Sequence, residues 1–358
     1  MQPDPSYYAA MPEQHAVGVR QQGVAISRQP LTLAFGIDNH FALPLAATLH
    51  SLLDGLSGDE RPHIHIVSLE SHGISPANKK RLHRVVGDRA ALHWPTLSRL
   101  PVEGDVLATS ENLSLATHYR VFLPAFLPPE CTRVIYLDAD VIVQGDLRAL
   151  WETEMHGHVL MAVRDPAIFN VASPMGIVKY RELELPPQTP YFNGGVLLVD
   201  VGRWRQERMT EQFLAYSTKY GQYSQWGDQD GLNVIAYNRW EPLDDRWNLQ
   251  TFAVDGRALC IPPDQQRYVA ALRARQDRLT AGSFIIHYTE GRKPWHPWCR
   301  HPFRALFHRH FRQSGCFRFG VSYGAWYALR YLAWFYKKMT TRRGWKKAYA
   351  RLLRKRRG

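Results

Sequence analysis

The run VIYLDADVIV, residues 134–143, constrains this chain more than any other stretch. Apolar and β-branched residues on both sides of one Asp-Ala-Asp predict a buried strand that delivers Asp138 and Asp140. Residues i and i+2 of a strand share a face, so both carboxylates are expected to point one way. In open α/β sheets, ligands bind beyond the carboxyl ends of the strands. Two ionised carboxylates placed there repel each other unless a cation lies between them. Oxygen donors suit Mg²⁺ or Mn²⁺, and an added neutral imidazole shifts the choice toward Mn²⁺. Such a cation would neutralise a diphosphate leaving group. The competing reading is a DxD that merely turns the chain at a strand end, with the same local structure and no ligand.

The surrounding pattern gives those carboxylates a sheet. Leu31–Ile37 reads as a first strand, Phe41–Leu56 as an apolar helix and Ile64–Leu69 as a second strand. Ser75, followed by Pro76, caps a polar helix; His93 and Trp94 close a third short strand. Leu115–Leu127 reads as a helix stopped by Pro128 and Pro129. Further strands are expected at His158–Arg164, Val196–Asp200 and Ser283–Tyr288, and helices at Gly202–Tyr220 and Asp228–Tyr237. Strands alternating with helices predict an α/β fold, a mostly parallel, Rossmann-like sheet flanked by helices.

Charge divides the chain. Its 32 acidic residues all lie within the first 290, whereas residues 291–358 hold 19 of the 45 Lys and Arg. The body, with 26 basic residues left to it, balances at −6, which argues against a nucleic-acid enzyme with basic surfaces throughout. Cys131, Cys260, Cys299 and Cys316 show neither CxxC pairing nor tight spacing, so a reducing compartment is expected over a zinc ribbon or a disulfide scaffold. Residues 1–28 lack the apolar core of a signal peptide and are expected to be disordered. The division expected is therefore 1–28, a catalytic domain at 29–290, and a basic, aromatic, helical region at 291–358.

Six segments together resemble the retaining GT-A glycosyltransferases of family eight, the group of glycogenin and of bacterial lipopolysaccharide galactosyl- and glucosyltransferases. They are LAFGIDNHF, THYRVFLP, VIYLDADVIVQGDLRALW, YFNGGVLLVDVGRW, GDQDGLNVI and HYTEGRKPWH, in the family's order across residues 31–300. The resemblance implies the GT-A fold, a UDP-hexose donor, Mn²⁺ (or Mg²⁺) and retention of anomeric configuration. It implies metal ligation by Asp138, Asp140 and His287, with Ala139 between the aspartates at the donor. Gly36, Asp38 and Phe41 would contact the base, Arg120 the donor phosphate or sugar, and Lys293 the diphosphate. Asn193 and Asp228 would bind sugar hydroxyls, Gln229 would lie beneath the anomeric carbon, and Asp165 between donor and acceptor. Two positions depart from the pattern: Glu290 stands where related sequences carry Gly, and His40 where they often carry Asn.

Each residue also has a plainer reading. Asp38 could cap the next helix, Asn193-Gly194-Gly195 could be a tight turn, and Asp228 could be an N-cap. A phosphatase of the haloacid-dehalogenase type also places DxD after a buried strand. That class expects Thr or Val four residues after the first Asp, where this chain has Ile142, and it leaves YFNGG and HYTEGRKPWH unexplained. A catalytically dead, membrane-bound saccharide-binding protein is the non-enzymatic alternative. Residues 322–336 are crowded with aromatics and residues 337–358 hold eleven Lys and Arg, a composition that suits an anionic membrane surface. These features predict a peripheral enzyme on the cytoplasmic face of the plasma membrane. Its acceptor is expected to be a lipopolysaccharide-core or other lipid-linked saccharide.

Overall fold

A computed structural model describes residues 29–59, 61–100, 115–251, 282–289, 291, 293–296, 299–316 and 332. The expected disordered leader, Cys260, Glu290 and the aromatic and basic stretches from 322 onward lie outside these, apart from the exposed Leu332.

Three strands pair in parallel at one side of the main sheet: β1 (Thr32–Gly36), β2 (His63–Leu69) and β3 (Ala91–His93), with β4 (Thr96–Leu97) also on β2. On the other side of β1 lies β5 (Arg133–Leu137), again parallel. Beyond it come β8 (Phe192–Asp200), antiparallel to β5, then β7 (Leu160–Arg164) and β9 (Trp240–Pro242). A second, three-stranded sheet holds β6 (Val141–Val143), β11 (Ile285–His287) and β10 (Leu249–Gln250). This mixed α/β architecture, mostly parallel and flanked by helices, is the one expected.

The sheet is buried on both faces, so its strands carry continuous apolar runs. Ile135 and Leu137 of β5 face one core with α1 (Ala42–Gly55) and α2 (Pro76–Val86). Val134 and Tyr136 face a second core with α5 (Val201–Gln206), α6 (Met209–Tyr220) and α7 (Asp228–Ile235). Ser75 caps α2 as read, accepting a bond from Asn78 N at 3.3 Å.

Several elements differ from the sequence reading, each for a local reason. Asp138 and Asp140 do not sit in one strand: β5 ends at Leu137, residues 138–140 form a turn, and β6 starts in the other sheet. Leu115–Phe122 is a 3₁₀ helix followed by the single turn α3 (Leu123–Phe126); β-branched Thr117 and Val121, and Pro124, disfavour a regular α-helix there. The expected helix over 202–220 breaks at Arg208, whose φ of 52° is left-handed. β8 begins at Phe192, so Asn193-Gly194-Gly195 lies within a strand instead of forming a tight turn.

The charge boundary at 290 is not an edge of the packed structure. Helix α8 (Arg304–Gln313) lies on α1 and buries Phe307 and Phe311 in the first core, and Tyr288 Oη donates to Phe303 O at 2.9 Å. Phe303, Phe307 and Phe311 recur every four residues, an apolar stripe hidden in the sequence by the arginines between them. Cys131, Cys299 and Cys316 are free thiols, and among the described residues no helix is long and apolar enough to cross a membrane.

Candidate active site

The chain reverses from one sheet to the other at Asp138-Ala139-Asp140, and that turn is fixed on every side. Asp138 N donates to Gly195 O of β8 at 2.8 Å, and Tyr288 N donates to Asp140 O at 3.0 Å. From α1, Thr48 Oγ1 donates to the carbonyls of Ala139 (2.9 Å) and Val141 (2.8 Å), and Ser51 Oγ accepts from Val143 N (3.0 Å). Both carboxylates thereby face His287, the last residue of β11. Its Nε2 lies 3.6 Å from Asp138 Oδ2 and 3.4 Å from Asp140 Oδ1. An ion with bonds of about 2.1 Å needs neighbouring ligand atoms about 3.0 Å apart and opposite ones about 4.2 Å apart, so these separations fall in the required range.

Gly195 supplies the space. A Cβ there would land on His287 Cε1 and lie 2.7 Å from Asp138 Oδ2. The neighbouring Gly194 admits Arg120, whose guanidinium carbon would be 2.9 Å from an added Cβ. Paired glycines inside a strand mark a close approach of this kind. Two carboxylates and one imidazole, converging where only a glycine fits, suit a divalent cation such as Mn²⁺ or Mg²⁺.

A buried and a partly buried cation oppose the carboxylates. Arg120 pairs through Nε with Asp228 Oδ2, and its Nη1 is 3.5 Å from Asp138 Oδ1. Burial alone would lower the Arg120 pKa, but Asp228 and Asp138 outweigh it and hold the guanidinium charged. Lys293 bonds Asp140 Oδ2 and donates to Tyr288 O at 2.6 Å. Burial would raise the Asp140 pKa, yet Lys293 and His287 keep its carboxyl well below the usual range. Asp138 is pushed up by burial and by Asp140's charge, against the pull of Arg120 and His287; Tyr136 Oη donates to its Oδ1 at 2.9 Å.

A second polar network adjoins the first. Gln229, in the first turn of α7, accepts at Oε1 from Gly194 N (3.0 Å) and Asn193 Nδ2 (3.2 Å). Its Nε2 donates to Asp165 Oδ2 at 3.3 Å and lies 3.4 Å from Tyr191 Oη. Asp165, beyond the end of β7, also accepts from Ala167 N at 2.8 Å and Asn193 Nδ2 at 3.3 Å; burial still pushes its pKa up. Asp228 is fully buried, and its Oδ1 has no partner among the described residues.

Of the expected site residues, Arg120, Asp138, Asp140, Asp165, Asn193, Asp228, Gln229, His287 and Lys293 are therefore linked by contacts into one cluster. Gly36, at the end of β1, packs against Tyr119 and the carbonyl of Ala116. Asp38 Oδ1 accepts from His40 N (2.8 Å) and Phe41 N (3.3 Å), a local capping turn at the place assigned to the base. Phe41 meets the Trp295 ring edge-on at 5.7 Å, which ties the β1 loop to the Lys293 segment. Sequence reasoning missed Thr48, Tyr136, Tyr191, Gly195 and Asn248. Gly195 and Tyr191 stood inside the YFNGG motif; Thr48 and Asn248 carried no signal.

Two other groups of possible ligands occur among the described residues, His63–His65–His93 and His50–Asp54–His310. In the first, His93 stacks on His65 and His63 at interplanar angles of 15° and 23°, and its Nε2 already meets His63 Nδ1 at 3.2 Å, within hydrogen-bond distance. In the second, a His50–His310 contact of 3.2 Å between Nδ1 atoms is satisfied as a hydrogen bond between neutral rings.

The sequence profile of glycosyl transferase family 8 matches residues 32–299. The chain belongs to that family. It is 26% identical over 273 residues to general stress protein A of Bacillus subtilis, covering 75% of this chain and 88% of that protein. With the lipopolysaccharide 1,2-glucosyltransferase of Escherichia coli it shares 27% identity over 207 residues, 55% of this chain and 54% of the relative. The crystal structure of the galactosyltransferase LgtC with donor and acceptor sugar analogs superposes with a TM-score of 0.61 at 22% identity, over 79% of this chain and 96% of that one. The fold is thus that of LgtC.

The glycine cradle is directly testable. Gly195→Ala should keep a wild-type far-ultraviolet circular dichroism spectrum but weaken Mn²⁺ binding at least tenfold in a paramagnetic-resonance titration. Wild-type affinity in that variant would show that no ion sits against Gly195.

Proposed function

We propose that this glycosyltransferase moves a hexose, glucose or galactose, from a UDP-sugar to a lipopolysaccharide-core or other saccharide acceptor, with retention of anomeric configuration. The observation that carries this reading is the convergence of Asp138, Asp140 and His287 against Gly195, with the Gln229 amide bonded to the adjacent Gly194. A cation held by those three ligands would supply Lewis-acid stabilisation of the diphosphate leaving group. Lys293, beside Asp140, would add a second positive charge for the same group, and Arg120 would anchor the donor near Asp138. Asp228 Oδ1, without a partner among the described residues, is an acceptor suited to a sugar hydroxyl.

The network also bears on how configuration is retained. A typical retaining hydrolase uses a carboxylate nucleophile about 5 Å from its acid. Here Asp228 is tied to Arg120, and Asp230 accepts from Tyr191 Oη, Ser224 Oγ, Gln225 N and Trp226 N. Asp165 is taken up by three donors. What faces the centre of the network is Gln229, an amide and a far poorer nucleophile. This favours front-face attack, in which the leaving phosphate takes the acceptor proton, over a stable covalent intermediate.

The acceptor class rests on the lipopolysaccharide glucosyltransferase among the relatives and on the basic, aromatic composition of the C-terminal residues. The same composition motivates peripheral attachment to the cytoplasmic face of a membrane, with each basic residue contributing about 1 kcal/mol near an anionic leaflet.

Purified protein with Mn²⁺ should release UDP slowly from UDP-glucose or UDP-galactose, and Asp140→Asn should cut that release at least a hundredfold while remaining folded. Unchanged turnover in the variant would sink the metal assignment; no release from any UDP-sugar by the wild type would favour the dead-site alternative. Deleting residues 337–358 should free the protein from vesicles containing anionic lipid in a sedimentation assay. Full retention of the truncated chain would remove the tail from the account.

A further inference from the structure

We propose that Asn248 is a positioning residue that fixes the tautomer of His287, so that Nε2 is the nitrogen offered to the metal. This inference rests on the metal-site reading given above. It begins at a group whose direction is beyond dispute, the backbone N–H of Gly195. That N–H can only donate, and it does so to Asn193 Oδ1 at 3.0 Å. Asn193 Nδ2 must then lie on the other side of the amide, where it meets only acceptors: Asp165 Oδ2 at 3.3 Å and Gln229 Oε1 at 3.2 Å.

Asn193 Oδ1 is therefore an acceptor for its second neighbour as well. Asn248 presents Nδ2 to it at 3.0 Å, which turns Asn248 Oδ1 toward His287 Nδ1 at 2.9 Å. A carbonyl oxygen cannot donate, so Nδ1 carries the proton. The nitrogen between the two carboxylates is Nε2, 3.6 Å from Asp138 Oδ2 and 3.4 Å from Asp140 Oδ1. Reversing the Asn248 amide would set its carbonyl against Asn193 Oδ1, two acceptors face to face. Asn248 is 2% exposed and Asn193 7%, too little for water to repair that contact freely.

The relay matters because of what surrounds His287. An imidazole beside two carboxylates gains by turning an N–H toward them, and a protonated Nε2 cannot ligate a cation. Asn248 opposes that outcome by holding the proton on the far nitrogen. Metal-bound histidines commonly bond their second nitrogen to an acceptor, and losing such a partner costs roughly 10–100-fold in metal affinity.

Two substitutions separate this role from simple packing. Asn248→Asp keeps an acceptor for His287 Nδ1–H and loses the donor to Asn193; Asn248→Leu loses both. In a paramagnetic-resonance titration with Mn²⁺ alone, the Leu variant should bind roughly 10–100-fold more weakly than wild type. The Asp variant, which keeps the acceptor for His287 but sets a second acceptor against Asn193 Oδ1, should lose clearly less than the Leu variant. Equal losses in the two variants would mean that Asn248 only braces Asn193, and wild-type affinity in the Leu variant would overturn the relay. Wild-type protein carrying ¹⁵N-histidine and ¹¹³Cd²⁺ gives a readout that needs no Asn248 variant. Cadmium coupling should appear on Nε2 of the ring signal that vanishes in His287→Gln; coupling on Nδ1 overturns the proposal. If Asp140→Asn weakens binding and Asn248→Leu does not, the relay alone fails. If Asp140→Asn binds like wild type, the metal site itself fails and takes the relay with it.

Discussion

Asp138 and Asp140 repel each other, and the turn that presents them is held by neutral hydrogen bonds from three directions. Thr48 on α1, the Gly195 carbonyl on β8 and the Tyr288 amide after β11 each fix one part of it. A turn crossing between two sheets would otherwise be free to splay its acidic side chains toward water. Because the backbone is pinned, the charges are met in place by Arg120 and Lys293, and His287 is brought between them. In the second sheet β6 and β11 pair antiparallel, which sets His287 opposite Val141, one residue past Asp140.

The groups around His287 and those around Gln229 are joined into a single network. His287 reaches Asn248, Asn248 reaches Asn193, and Asn193 touches both Gln229 and Asp165. From Gln229 the chain continues to Tyr191, which donates to Asp230 at 2.6 Å. Buried polar networks of this kind are rigid when every member is satisfied. Among the described residues the members are nearly all bonded, and the conspicuous exception, Asp228 Oδ1, lies beside the pairing of Asp228 with Arg120. An unpaired acceptor is costly in a buried site, and a sugar hydroxyl would relieve that cost.

The sequence made the ligands legible and left their geometry out of reach. VIYLDADVIV announced a buried strand and two carboxylates, because apolar period and acidic punctuation are local signals. It could not show that the strand stops at Leu137, since a turn flanked by β-branched residues reads like a strand. Asn193-Gly194-Gly195 read as a turn because glycines usually mark one; here they mark the approach of His287 and Arg120 to a strand. The boundary at 290 followed charge, whereas the fold followed the stripe of Phe303, Phe307 and Phe311. Asn248 and Thr48 were invisible, because a polar residue that supports another across about forty to ninety positions has no periodic signature. His287 came from resemblance alone; its composition and spacing would have left it among sixteen histidines.

The central claim is that one divalent cation belongs at the junction of the two sheets. A crystal of the protein soaked in Mn²⁺, with anomalous scattering collected near the manganese edge, tests it most directly. The account predicts a peak in contact with Asp138, Asp140 and His287 Nε2, lying against Gly195. A peak confined to His63–His65–His93 or to His50–Asp54–His310, or none at all, would contradict it.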